Sequence, residues 1–329
     1  LVPAMAAEYG LLIRGGTLVD GTGGDPRVGD IAIEGSHIVA IGDLSSDTGR
    51  SEIDASGLIV APGFINMLSH ATTSLIVDPR GMSDIKQGVT LEVFGEASRG
   101  PLSAEMKTSM LASQGELRYD IPWTTLGEYL DFLEKKGIAP NVASFVGAST
   151  VRINVIGYED RAPTSEELTR MKELVRVAME EGAMGVTSAL IYAPAFYAKT
   201  AELVELCKVA SRYGGMYIVH MRSEANRILE AIDETILIAR EADVPAEIYH
   251  LKMAGKDNWG KLDAVIERIE SAQRDGVRIS ANMYTYTAGA TGLDASMPPW
   301  VQEGGYESWA LRLQDPQIRE RVAADMIQP

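Results

Sequence analysis

Met216-Tyr217-Ile218-Val219-His220-Met221-Arg222-Ser223-Glu224 and, further on, Ala246-Glu247-Ile248-Tyr249-His250-Leu251-Lys252 decide how this chain is read. Each opens as a short run of β-branched and aromatic residues of strand length and ends on a histidine. Between them, residues 224–242 carry apolar side chains three and four apart with charged residues opposite, the pattern of a helix lying on a sheet. Strand, helix and strand in that order make a βα unit, and two such units in succession place His220 and His250 side by side at the carboxyl ends of neighbouring parallel strands.

Working outward, strand-like runs fall at 58–65, 90–94, 141–146, 185–188, 216–219, 246–249 and 278–281, the last four about thirty residues apart as βα units require. The stretches between them read as amphipathic helices. Thr164-Ser165-Glu166-Glu167 is a capping box that opens one of them, ending near Gly182, and residues 259–275 form another. Seven strands alternating with helices predict an α/β fold, a (β/α)8 TIM-type barrel whose last strand would follow Pro329. An open doubly wound sheet is the alternative. Neither a Gly-x-Gly-x-x-Gly turn nor a P-loop is present, so the nucleotide-binding forms of that alternative lose support.

Residues 11–41 differ in character: short alternating runs are separated by Gly15-Gly16, a turn at 21–25 and Glu34-Gly35, which predicts a small antiparallel sheet. The change comes at Ala61-Pro62-Gly63, so residues 1–60 are expected to form an N-terminal part of a β-sandwich and 61–329 the barrel. With 329 residues, 46% of them hydrophobic, the chain can bury a large core. Its formal charge of −16 argues against nucleic acid as a partner, because phosphate backbones are bound by clustered Lys and Arg. Cys207, the single cysteine, has no intramolecular disulfide partner and reads as helix packing. No run is long and apolar enough to predict a membrane-spanning helix. A cytoplasmic location is expected, with export left open by Ala4-Met5-Ala6, which resembles the end of a secretory signal.

In a barrel, chemistry gathers where strands end. Two neighbouring imidazoles suit Zn²⁺ or a similar divalent ion, and Glu96, after the strand at 90–94, offers a carboxylate as third ligand. His70, four residues past the first strand, is a further candidate ligand, whereas His37 falls at a hairpin turn and reads as incidental. Lys252 and Arg222 each lie two residues beyond a candidate ligand and can pair with a substrate carboxylate, though surface salt bridges account equally well for such residues. Tyr284 and Tyr286 follow the seventh strand with hydroxyls suited to a substrate or an oxyanion.

Taken in order, 12–23 (Leu-Ile-Arg-Gly-Gly-Thr-Leu-Val-Asp-Gly-Thr-Gly), Ala61-Pro-Gly-Phe-Ile-Asn66, Gln87-Gly-Val-Thr90, His220-Met-Arg-Ser-Glu224, His250-Leu-Lys252 and Tyr284-Thr-Tyr-Thr-Ala-Gly289 resemble the amidohydrolase superfamily, and within it the N-acyl-D-amino-acid deacylase (D-aminoacylase) branch. The resemblance implies a barrel with one or two zinc ions in which metal-activated water attacks the amide carbonyl of an N-acyl-D-amino acid. By that resemblance His220 and His250 match metal ligands, and Lys252 and Tyr284 match positions that hold the substrate carboxylate. The family's His-x-His after strand one stands here as Leu68-Ser69-His70, and its bridging cysteine aligns near Ala97, with Glu96 expected in its place. One principal zinc with a weak or empty second site is the expectation, and the family's catalytic aspartate would lie beyond Pro329. Hydrolysis of another C–N bond, in a cyclic amide or a dipeptide, and a non-catalytic binding or assembly role on the same scaffold are the competing readings.

Overall fold

The computed structural model describes residues 7–327, so Ala4-Met5-Ala6 lies outside the described residues. The chain divides into two compact units, one up to Phe64 and one from Ile65 onward.

In the first unit, β1 (Glu8–Leu18), β2 (Arg27–Glu34), β3 (His37–Gly42), β4 (Thr48–Asp54) and β5 (Ile59–Val60) form one sheet in which β1 lies between β2 and β4. β1 and β2 pair antiparallel with Leu12 opposite Ala32, and the β2–β3 hairpin closes at Glu34 opposite His37 with Gly35 in the left-handed region that a two-residue turn needs. Over residues 11–41 the sheet is antiparallel as expected, and β4 and β5, from outside that stretch, join it parallel to β1. Alternation cannot reveal this: it reports which face is buried and leaves strand direction open. Among the described residues of this unit, Leu12, Leu18, Ala32 and Ala55 are the buried apolar side chains.

The strands of the second unit are β6 (Phe64–Ser69), whose first residue is the last of the first unit, then β7 (Val89–Phe94), β8 (Asn141–Ser144), β9 (Val146–Gly147), β10 (Gly185–Ala189), β11 (Met216–His220), β12 (Ala246–Ile248) and β13 (Ile279–Ala281). The strand expected at 58–65 is displaced. Ile59 and Val60 pair with Thr17 and Leu18, and the next strand starts only after Ala61-Pro62-Gly63, where proline has no N–H to give to a ladder. His70 therefore follows its strand directly. β8 and β9 flank Phe145, whose N–H bonds to Phe94 O at 3.0 Å, and together they serve as one strand position with β7 on one side and β10 on the other. Seven positions thus follow one another in chain order with no reversal, unlike a doubly wound sheet. From β7 onward, β7 pairs parallel with β8, β9 with β10, β10 with β11, β11 with β12 and β12 with β13.

That array is curled. Glu96 follows the second position and His250 the sixth, and in a flat sheet four spacings of ~4.8 Å would part their strands by roughly 19 Å. The Glu96 Oε1 and His250 Nε2 atoms are 3.4 Å apart. In agreement, Val93, Phe145, Ile218 and Tyr249 from four strand positions pack into one buried cluster on the inner face. The outer faces, with Phe94, Val219 and Ile248, pack instead against the helices, where Met171, Val175, Leu203, Cys207, Ile232 and Val265 complete the larger core. The helix Ser165–Glu180 opens on the expected capping box: Thr164 Oγ1 accepts from Glu167 N while Glu167 accepts from Thr164 N. No helix among the described residues is long and apolar enough to cross a membrane.

Candidate metal centre

Strand alternation explains one ligand and fails for two. On β11, Met216 and Ile218 face inward while Tyr217 and Val219 face the helices, so His220 at the strand end points inward by parity. On β12, Ile248 faces outward and Tyr249 inward, so His250 would point into the helix layer. Glu96 is in the same position, two residues beyond the outward Phe94. Both residues are turned into the cavity by left-handed backbone, φ 63° at Glu96 and φ 39° at His250. Such a conformation costs a non-glycine residue on the order of 1 kcal/mol or more and persists only where neighbours hold it. Thr187 Oγ1 accepts from Glu96 N at 2.9 Å, and Asn282 Oδ1 accepts from His250 N at 2.7 Å. The bend at Glu96 also needs Gly95, since a Cβ there would lie 1.7 Å from the Tyr249 hydroxyl.

The three side chains converge. Glu96 Oε1 lies 2.8 Å from His220 Nδ1 and 3.4 Å from His250 Nε2, and one ligand atom from each residue can be chosen so that all lie within 4.8 Å of one another. The imidazole rings meet edge-on with centroids 4.5 Å apart. Burial by itself would raise the Glu96 carboxyl, but hydrogen bonds with His220 and His250 outweigh it and hold the group at about 2. Burial likewise opposes charge on His250, and hydrogen bonds to Glu224 and Glu96 prevail, raising it to about 9 in the metal-free protein.

These residues fit a divalent ion. Two imidazoles and one carboxylate are the donor set of a catalytic zinc site, which leaves a position for water or substrate. His220 turns Nδ1 to this cluster, while its Nε2 is buried with no hydrogen-bond partner. His70 lines the same cavity from its open side: its side chain is 71% exposed and Nε2 lies 4.0 Å from Glu96 Oε2.

The ligands line a cavity of about 1120 Å³ with Tyr192, Glu224, Lys252, Tyr284 and Tyr286 among its other lining residues. Lys252 Nζ donates to Glu224 Oε1 at 2.6 Å and lies 5.4 Å from the centre of the Tyr284 ring, which stacks on Tyr286 with centroids 4.5 Å apart. Arg222, expected at this rim, is not among the lining residues. Its guanidinium is held from behind by both carboxylate oxygens of Glu234, each at 2.9 Å, and by the carbonyls of Phe196 and Ala198. A fixed bidentate partner on the following helix takes it from the cavity.

Among the lining residues that the sequence reading passed over, two stand against the ligands. Tyr192, in the loop after β10, sets its ring against His220 at 5.3 Å and bonds its hydroxyl to Thr291 Oγ1 at 2.7 Å. Glu224 was assigned to the first turn of a helix, yet the helix is Ile228–Ala242. Residue 224 belongs to the loop before it, tied to the next loop by Ala254 N donating to its carbonyl at 2.7 Å. The buried carboxylate reaches His250 Nδ1 at 2.8 Å, and burial, which would raise it, is outweighed by His250 and the neighbouring charges, so that it is held below its usual range.

Residues 51–281 match the profile of the Amidohydrolase family. The D-aminoacylase of Alcaligenes xylosoxydans xylosoxydans is 38% identical over 289 residues, 86% of this chain and 58% of that relative. Among solved structures, a D-aminoacylase superposes with a TM-score of 0.78 at 35% identity, over 85% of this chain and 59% of the other. An N-acyl-D-glutamate deacylase from Bordetella bronchiseptica, complexed with zinc and a phosphonate mimic of the tetrahedral intermediate, superposes with a TM-score of 0.77 at 31% identity, again over 85% and 59%. These likenesses give the second unit a TIM-barrel-type fold. The chain spans just under six-tenths of the length of the relatives it matches, 58% in the first case.

Proposed function

The chain belongs to the amidohydrolase family, and from that premise we propose that it hydrolyses the amide bond of N-acyl-D-amino acids, or of related small N-acylated compounds, in a metal-dependent reaction. The observation that carries the reading is the convergence of Glu96, His220 and His250 in a cavity that also holds Lys252. Kinship to D-aminoacylase supports the substrate class. Zn²⁺ is the ion proposed, in keeping with the zinc of the deacylase complex, and Glu96 Oε1, His220 Nδ1 and His250 Nε2 would hold it. Once bound, such an ion supplies a Lewis acid and makes water a nucleophile near neutral pH.

The remaining roles fall to the chain's own groups. The Glu96 carboxylate, ionised through the physiological range, contributes the one negative charge of the donor set. Lys252, at the cavity wall beside Tyr284, is positioned to receive the substrate's α-carboxylate, and the Tyr284 hydroxyl to orient it. His220 and Tyr249 are both buried, which keeps water from their side chains. One principal ion is proposed, because Leu68 offers no ligand and His70, at the cavity wall 4.0 Å from Glu96 Oε2, is 71% exposed. We read the seven-position array as part of an eight-stranded barrel, which its curl supports, and the N-terminal sheet as one layer of a sandwich, which the exposure of Val28, Ile38 and Ile59 supports.

The test is activity of the full-length protein on paired N-acyl-D- and N-acyl-L-amino acids, after chelation and after zinc is restored. Turnover of the D-series that vanishes on chelation, returns with zinc and is lost in His220→Ala is expected. Turnover that chelation leaves unchanged, or confinement to the L-series, would refute the proposal. Lys252→Ala should raise KM more than it lowers kcat, the mark of a group that binds ground and transition state alike.

A further inference from the structure

Both imidazoles of the centre turn their second nitrogen toward one side chain. His220 presents Nδ1 and His250 presents Nε2 to Glu96 Oε1. Their other nitrogens face the two oxygens of Glu224: His250 Nδ1 lies 2.8 Å from Oε1, and His220 Nε2 lies 3.8 Å from Oε2. Resting on the proposed zinc site, we infer that Glu224 is its positioning residue, a single carboxylate that fixes the tautomer of His250 by a hydrogen bond and biases that of His220, 3.8 Å away, by its charge.

The chemistry requires such a group. A neutral imidazole binds a metal through one nitrogen and carries its proton on the other, and that N–H needs an acceptor when it is buried. His220 Nε2 is buried without a hydrogen-bond partner, and Glu224 Oε2, 3.8 Å away, is too far for a hydrogen bond but near enough for its negative charge to favour a proton on that nitrogen. At His250 the competition is explicit. Lys252 Nζ lies 3.0 Å from the same Nδ1, and a lysine ammonium can only donate. If Nδ1 accepted from Lys252, the ring proton of the neutral form would sit on Nε2, facing Glu96, where the metal must bind. Glu224 Oε1 reverses this outcome by accepting from Nδ1–H and from Lys252 Nζ together, at 2.8 Å and 2.6 Å.

The carboxylate is itself held in place. Glu224 is 8% exposed, and its backbone carbonyl accepts from Ala254 N, which joins the loop after β11 to the loop after β12. The same oxygen that orients His250 anchors Lys252, so the group that sets metal binding also sets the cation proposed to meet the substrate.

The test compares the parent full-length protein with Glu224→Gln and Glu224→Ala by zinc affinity, measured by competition with a chromophoric chelator, and by melting of the metal-free proteins. The glutamine variant keeps the shape but has one acceptor oxygen for two N–H groups. Zinc affinity is expected to fall roughly 10- to 100-fold in both variants, the range for loss of a partner behind a metal-binding histidine. Melting of the metal-free glutamine variant is expected to change little, which separates positioning from folding. A zinc affinity within threefold of the parent in the glutamine variant overturns the inference, including the case where only KM rises, which would leave Glu224 as a partner of Lys252 alone. A parent that binds no zinc would instead refute the proposed function.

Discussion

Raising the pH of the metal-free protein should remove stability at one named side chain. His250 is held at about 9 against an ordinary 6.5, burial opposing its charge and the Glu224 and Glu96 carboxylates outweighing that. Its folded value is raised, so its contribution is complete below the unfolded value near 6.5 and disappears as pH rises through about 9. At about 1.4 kcal/mol per decade, the interval between 6.5 and about 9 is on the order of 3 kcal/mol, and a side chain only 12% exposed calls for little discount for solvent screening. The assay is urea denaturation of chelator-treated parent and His250→Asn across roughly pH 6 to pH 10. Other groups titrate in both proteins, so the quantity to follow is the difference between them. That difference should shrink by on the order of 3 kcal/mol as pH rises. Zinc reverses the sign, because it binds the unprotonated ring: the extra stability conferred by a fixed zinc concentration should grow over the same interval. A parent-minus-variant difference that stays flat from pH 6 to pH 10 would refute the reasoning, since His250 would then be neutral already in the metal-free protein.

Two further substitutions test how the centre is built. Gly95→Ala must displace the buried Tyr249, whose hydroxyl lies 1.7 Å from the new Cβ, and should cost on the order of 1–3 kcal/mol while weakening zinc binding through the adjoining His250; unchanged melting and zinc affinity would contradict the packing described. Arg152→Met leaves Glu202 buried without the partner now 2.6 Å away and should destabilise by about 3–5 kcal/mol, with Arg152→Met/Glu202→Leu recovering most of the loss in thermal denaturation; equal melting of the single and double variants would contradict it.

How far the sequence carried this account depends on whether a feature is periodic or singular. Strand positions and helices repeat, so βα spacing and the capping box at Thr164 were legible, as was the inward direction of His220 at the end of an alternating strand. Glu96 and His250 were chosen for their chemistry and company, while alternation would have rejected both. The left-handed turns that bring them in depend on distant partners, Thr187 and Asn282, which no local pattern announces. Glu224 was hidden because Ser223-Glu224-Ala225 reads as a good helix start, whereas the helix begins at Ile228 and leaves the carboxylate free to face the centre. Arg222 was misplaced for a related reason: distance along the chain from a ligand says nothing about which way a side chain leaves a strand end, and Glu234 decided it. The first strand of the second unit slipped because Ile59 and Val60 are apolar enough for either unit, and pairing with β1 claimed them.

The central claim is that Glu96, His220 and His250 together hold one divalent ion. Its most direct test is the zinc content of the dialysed full-length protein, determined by elemental analysis alongside Glu96→Gln, His220→Asn and His250→Asn. About one tightly held zinc per chain is expected in the parent and little in each variant, since loss of any one of three protein ligands opens the site. Full zinc content in His220→Asn and His250→Asn, or none in the parent, would contradict it.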